Sequence, residues 1–423
     1  MPEPNLPADA AATADALFAA LHRIGWDGTG ITRPSYGGAE SAALDLIAEQ
    51  ARTLGLAATR DRAANLVVTL SGADPTLPAV ACGSHLDSVP QGGNFDGAAG
   101  VVAGMMALAA LRDLPGRRHD LRLMALRGEE SAWFARPYLG SSALFGALSA
   151  EDLATRRLGD GETLAAAMEA VGADLPAIAA GHRLLDPAEL AAWFELHIEQ
   201  GPVLLARDLP VAVVTGLRGN LRHREIECVG AAGHSGAVPR WLRHDAVFAV
   251  AELIARLDRH WQQMLAQGQD LVVTVGTIGT DPAEHAISRI PGRVRFSLEA
   301  RSESAETLAA FDALLHEECA AIEAASGVAF RFDRRRDTAP ARMDPALIAG
   351  LRAAAIALGL PAETIPSGAG HDAAVFANHG VPAAMIFVRN AHGSHNPNEA
   401  MAMADFLDGT RLLLAALARA VRQ

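Results

Sequence analysis

The chain contains no lysine in 423 residues; its basic side chains other than histidine are all arginine. That absence excludes a Schiff-base enzyme, a phosphate-loop ATPase and a metal pair bridged by carbamylated lysine. Any two-metal site here would need a carboxylate bridge instead. Cysteine is scarce too. Cys82, Cys228 and Cys319 cannot all pair within one chain and fit no metal-binding spacing, so free thiols in a reducing cytoplasm are expected. The longest apolar run, 97–111, is rich in Ala and Gly and too short to span a membrane, which predicts a buried helix. A formal net charge of -13 excludes a nucleic-acid or anionic-membrane partner, since both need basic patches. The start, Met1-Pro2-Glu3-Pro4, lacks a basic segment followed by an apolar one. No secretory signal is therefore expected, and the location is read as cytoplasmic.

What is present has the size and rhythm of two α/β domains. Periodicity predicts helices over 8–24, 39–54 and 97–114, and strands over 65–70, 79–83, 121–126 and 193–198. Alternation of this kind implies a mostly parallel sheet with helices on both faces. The stretch 149–189 reads as helical and loop-rich, without clear boundaries. From about 215 the order changes to strand 224–229, helix 244–257, strands 271–278 and 294–300, helix 303–325 and strand 328–332. That β-α-β-β-α-β order is the split βαβ pattern of a ferredoxin-like domain. The expected division is a discontinuous catalytic domain, 1–214 and 336–423, interrupted by an inserted domain at 215–335.

Six short polar signatures carry the chemistry: GSHLD at 83–87, NFDG at 94–97, GEES at 128–131, ELHIEQG at 195–201, GHD at 370–372 and GSHNP at 393–397. Four lie directly after an apolar run that reads as a strand. In open α/β sheets ligands collect at the carboxyl ends of strands. A lone histidine is usually a satisfied or solvated side chain, and His22, His119, His182, His260 and His316 keep that reading. An adjacent glutamate pair is normally a solvated face, but Glu129-Glu130 ends an apolar strand. Neighbouring side chains diverge there, so one carboxylate can bind a metal while the other carries a proton. Asp87, two residues after His85, is placed to hydrogen-bond the imidazole and fix its tautomer.

These motifs, together with GSHLDSVPQGGNFDG at 83–97, LGS at 139–141, ELHIEQGPVL at 195–204, SGAGHDA at 367–373 and GSHNPNE at 393–399, resemble the M20 metallopeptidase superfamily. Within it, HIEQGP and SGAGHD resemble the branch of N-carbamoyl-L-amino acid hydrolases, β-ureidopropionases and allantoate amidohydrolases. The resemblance implies a two-metal aminopeptidase-like catalytic domain and an inserted ferredoxin-like lid that also dimerises. It implies one ion on His85 and His197, another on Glu130 and His395, and Asp96 bridging both. Two divalent ions per subunit follow, Zn2+ or Mn2+, with Ni2+ or Co2+ also compatible with such ligands. Glu129 becomes the proton carrier. In the motif GHSG at 233–236, His234 would reach the partner subunit's site and stabilise the oxyanion, making a homodimer. Arg301 matches the arginine that pairs with the substrate carboxylate, and Gln200 and His371 match residues of the same pocket. The plainer alternatives are a surface charge for Arg301, a loop residue for His234 and a helix cap for the 371–372 pair.

Departures cluster around the substrate rather than the metals. Ser288 stands where the family usually has Asn, and Arg289 follows it. Val238-Pro239-Arg240 replaces Thr-Pro-Met. Arg389-Asn390 replaces the usual Pro, and 131–136 lacks a leading Gly. All four segments are expected to face the substrate. The implied enzyme hydrolyses a linear non-peptide C–N bond, foremost the N-carbamoyl group of an amino acid. Allantoate amidohydrolase activity, an N-acyl amino acid deacylase or aminopeptidase, and a non-catalytic binding protein are the alternatives.

Overall fold

The computed structural model describes residues 4–423; Met1 to Glu3, part of the stretch read as lacking a secretory signal, lie outside the described residues. Two compact units emerge: the chain up to Thr215 together with Arg342–Gln423, and Gly216–Ala341. Among the described residues no helix is long and apolar enough to cross a membrane.

The first unit is built on a mixed sheet. Its strands are β1 (Ala57–Arg60), β2 (Leu66–Leu70), β3 (Ala79–His85), β4 (Leu121–Leu126), β5 (Leu190–Ile198) and β6 (Val211–Leu217), joined by Ala383–Val388. They run in the order β1-β2-β4-β3-β5, then Ala383–Val388, then β6. The central four, β4, β3, β5 and Ala383–Val388, are parallel, and the flanking strands are antiparallel. Every residue of β3 is buried. A strand covered on both faces needs no polar alternation, which is why this one reads as a continuous apolar run. Helices α2 (Gly38–Thr53) and α3 (Ala98–Leu111) pack against the sheet, and α1 (Ala10–Gly25) packs on both of them. Nearly all of α3 is buried, with Val101, Val102, Leu108 and Leu111 at 0% exposure. Each such Val or Leu side chain contributes roughly 1.5–3 kcal/mol of burial, so the apolar run at 97–111 is core.

The second unit is an antiparallel sheet ordered Ile278–Gly279, Arg293–Ser302, β7 (Gly219–Val229), Ala329–Phe332. Helices Ala246–Ala266 and Ala305–Ser326 bury Val250, Leu253, Phe311 and Leu315 with Ile226 and Phe296 in one cluster. The first helix is capped by Asp245, which accepts the N–H groups of Val247 and Phe248, the second by Ser304. The strand expected over 271–278 is broken into Val272–Thr274 and Ile278–Gly279. Between the two pieces the Ser297 hydroxyl accepts the Thr277 N–H at 3.0 Å, and the neighbouring strand is itself irregular there, its pairing with β7 shifting register between Phe296 and Leu298.

Candidate metal centre

The parallel strands of the first unit deliver the polar signatures to their carboxyl ends. His85 closes β3, His197 lies one residue before the end of β5, and Glu129 and Glu130 follow β4. Asp96 precedes α3, and His395 sits in the turn after Ala383–Val388. Gly97 fixes the approach. Its φ is +65°, and a Cβ there would fall 2.5 Å from the His85 ring, so only glycine lets Asp96 come this close.

Asp96 is the hub. Its Oδ1 lies 3.5 Å from His85 Nε2 and 3.3 Å from His197 Nε2. Its Oδ2 lies 3.5 Å from His395 Nε2, which is 3.4 Å from Glu130 Oε1. Two ligand groups thus share one carboxylate, His85–Asp96–His197 and Asp96–Glu130–His395. The chemistry of this donor set fits divalent cations. Asp96 Oδ1 is buried with no hydrogen-bond partner, an arrangement that a cation would satisfy. His85 Nδ1 faces the Asp87 carbonyl at 3.2 Å and His197 Nδ1 faces the Ile198 carbonyl at 2.9 Å. Those acceptors place the ring hydrogen on Nδ1 and turn Nε2 toward Asp96, as a metal-binding imidazole requires.

The electrostatics point the same way. Burial opposes charge on His85, yet hydrogen bonding to Asp87 and Asp96 raises its pKa well above the usual imidazole range. His197 is raised by the same competition, with Asp96 prevailing over burial. Burial raises Glu129 well above the usual carboxylate range, and Glu130, Asp372 and Asp87 add to it. Burial and Asp96 do the same to Glu130. Packed carboxylates of this kind demand positive charge, which protons or cations supply. His371 is driven the other way, by burial and then by His197, and is held neutral.

Asp87 holds more than His85. Its Oδ1 accepts the Glu129 N–H and its Oδ2 the Glu130 N–H, each at 3.1 Å, and Oδ2 also accepts the Ser35 hydroxyl at 2.6 Å. Gln200 donates its Nε2 hydrogen to Asp96 Oδ2 at 2.8 Å. His371 is buried with its ring 4.3 Å from that of His197 and its Nε2 3.2 Å from the Ser367 hydroxyl. Nine of the twelve sequence-derived positions, His85, Asp87, Asp96, Glu129, Glu130, His197, Gln200, His371 and His395, therefore lie in the first unit, and the other three, His234, Ser288 and Arg301, lie in the second. There His234 pairs with Arg289 in a short ribbon, beside Ser288, whose carbonyl accepts the Ser235 N–H at 2.8 Å. Arg301 Nε meets Glu299 Oε2 at 3.0 Å.

Two of the departures prove to be internal. Arg389 forms ion pairs with Asp405 at 2.8 Å and Asp208 at 2.5 Å. Asn390 is buried, accepting the Gln200 N–H at 3.0 Å and donating to the Gly393 carbonyl at 2.7 Å. In 131–136, Trp133 and Phe134 are buried, the Trp133 indole donates to the Ser88 carbonyl at 2.7 Å, and Arg136 pairs with Asp152. In both segments these side chains make contacts within the first unit. Sequence reasoning also passed over Glu195 and Glu399. Glu195 is buried and accepts the Ser84 hydroxyl and the Ala373 N–H. Both glutamates lie inside quoted motifs, and only their burial sets them apart from solvated ones.

A sheet whose strand ends bring imidazoles and carboxylates together around one aspartate defines a metal-dependent hydrolase. The chain belongs to peptidase family M20/M25/M40, which matches residues 81–419. It is 33% identical over 396 residues to an N-carbamoyl-L-amino-acid amidohydrolase of Paenarthrobacter aurescens, covering 93% of this chain and 94% of that protein. To an allantoate amidohydrolase of Escherichia coli it is 30% identical over 361 residues, 85% of each. Among solved structures, a hydantoinase/carbamoylase family amidase from Burkholderia ambifaria superposes with a TM-score of 0.85 at 33% identity, covering 98% of this chain and 97% of that one.

Proposed function

We propose that the chain is a metal-dependent amidohydrolase that removes the N-carbamoyl group of an amino acid, giving the free amino acid, carbon dioxide and ammonia. The observation that carries this reading is the Asp96 hub with its two ligand groups, in a chain similar along nine-tenths of its length to an N-carbamoyl-L-amino-acid amidohydrolase. Two divalent ions, Zn2+ or Mn2+ with Ni2+ or Co2+ as alternatives, held by His85, His197, Glu130 and His395 around Asp96, would lower the pKa of a shared water and polarise the ureido carbonyl.

The remaining work belongs to side chains. Glu129, held by Asp87 through its backbone, takes the proton from the attacking water and delivers it to the amino-acid nitrogen as that C–N bond breaks. Carbamic acid leaves and falls apart to carbon dioxide and ammonia. Gln200, His371, Ser288 and Arg301 bind the substrate, Arg301 through its carboxylate. The unit Gly216–Ala341 serves as a ferredoxin-like lid and dimer interface, so that His234 of one subunit stabilises the oxyanion in its partner's site. Trp241 and Phe248 expose 80% and 72% of their surface on that unit, as an interface requires. The similarity to the Escherichia coli allantoate amidohydrolase favours allantoate as the second substrate reading.

The test is ammonia release by metal-loaded protein from N-carbamoyl-L-amino acids, N-carbamoyl-β-alanine and allantoate, beside free-amine release from N-acetyl amino acids and dipeptides. Chelator-sensitive ammonia from the first set is expected. Free amine from the second set alone would move the chain to a deacylase or peptidase.

A further inference from the structure

We propose that Glu399 is a positioning residue whose buried carboxylate fixes the segment bearing Asp96 against the turn bearing His395, and so builds the ion position formed by Asp96, Glu130 and His395. This rests on the metal-dependent reading above.

Asp96 and His395 come from opposite ends of the first unit's chain, and Glu399 joins them from both sides. Its Oε1 accepts the N–H groups of Phe95 at 2.8 Å and of Asp96 at 3.2 Å. Its Oε2 meets the Ser394 hydroxyl at 2.7 Å, and that same hydroxyl also bonds Asp96 Oδ2. One carboxylate and one hydroxyl therefore connect the backbone of the bridging residue, its carboxylate and the residue next to His395. Space is kept for this: a Cβ on Gly93 would lie 2.2 Å from the Glu399 carboxyl carbon. The turn itself is costly, because His392 and His395 have φ of +66° and +60°. Non-glycine residues hold the left-handed region only when surrounding contacts enforce it. Asn390 secures one end of this turn through the Gly393 carbonyl, and Glu399 secures the other. The contrast with the other ligand group is plain. His85 and His197 are buried and fixed within strands, whereas the His395 side chain is 52% exposed and depends on its turn for placement.

Partners that orient metal ligands are worth about 10–100-fold in metal affinity. Metal-free full-length protein titrated with Co2+, followed by visible absorption and by counting cobalt after gel filtration, reads each position separately. Wild type is expected to bind two ions. Glu399→Ala should keep one at wild-type affinity and weaken the other about 10–100-fold. Glu399→Gln should keep both, because its amide oxygen still accepts both N–H groups and its NH2 can donate to Ser394. Should Glu399→Ala not fold, Ser394→Ala and Gly93→Ala carry the same expectation of selective weakening. Two ions at unchanged affinity in these variants, or equal weakening of both, would overturn the proposal. Wild type binding no cobalt would instead overturn the metal-dependent reading.

Discussion

At Asp87 one buried carboxylate ties the His85 imidazole to the backbone of both Glu129 and Glu130. Removing it frees three groups at once. Asp87→Ala is expected to lose about 10–100-fold in metal affinity, measured by competition with a chelating dye. Glu129→Gln should behave in the opposite way, retaining its metals while turnover falls about 10²–10⁴-fold. Turnover above a tenth of wild type would remove Glu129 from the proton-transfer role. At this scale the cluster of His85, Asp96, Glu130, His197 and His395 was legible because each sits in a short polar motif, those of His85, Glu130 and His197 at or just after a strand end and that of Asp96 just before α3. Glu399 was not, since a glutamate four residues beyond a histidine looks like any solvated side chain until the fold buries it against Asp96. Trp133 and Arg389 flank the motifs in sequence, and their side chains turn inward to Ser88 and to Asp405, partners that no local pattern announces.

Among elements, α2 and the end of β4 are joined by a buried ion pair. Glu40 on α2 accepts from Arg127 at 2.5 Å, from the Gly128 N–H at 2.9 Å and from the Tyr36 N–H at 2.8 Å. Burial pushes the Glu40 carboxyl up to about 7 despite Arg127. Glu40→Ala would strand the buried guanidinium two residues before Glu129. The expected cost is about 3–5 kcal/mol, read from the urea midpoint; an unchanged midpoint would show that the pair does not hold this corner. Long elements announced themselves in the sequence: β3, β4, α3 and Ala305–Ser326 fall within a few residues of the periodicity. The stretch 149–189 did not, because it folds as helices of four to seven residues, Ala150–Leu153, Leu164–Ala170 and Leu175–Ala179. Such helices are too short for an apolar face to repeat, and they are held by the caps Ser149, Thr163 and Asp174.

For the whole molecule, all three cysteines are free and buried, and burial pushes each thiol up to about 12. A water-soluble thiol reagent should therefore find none in the native protein and three after denaturation. Rapid native labelling would contradict the packing around them. The proposed dimer makes a sharper claim. Subunits of His234→Ala exchanged with subunits of Glu129→Gln should recover toward about a quarter of wild-type activity, since half the dimers are mixed and each holds one intact site. No recovery after demonstrated exchange would place His234 outside the partner's site. The central claim is that Asp96 joins two divalent ions into a hydrolytic centre. The measurement that tests it most directly is metal content per chain, taken in parallel with ammonia release from an N-carbamoyl-L-amino acid, for wild type and Asp96→Ala, before and after chelation. The account predicts two ions and chelator-sensitive, metal-restored activity in wild type, with both lost in Asp96→Ala. Ammonia release undiminished in metal-free protein would contradict it.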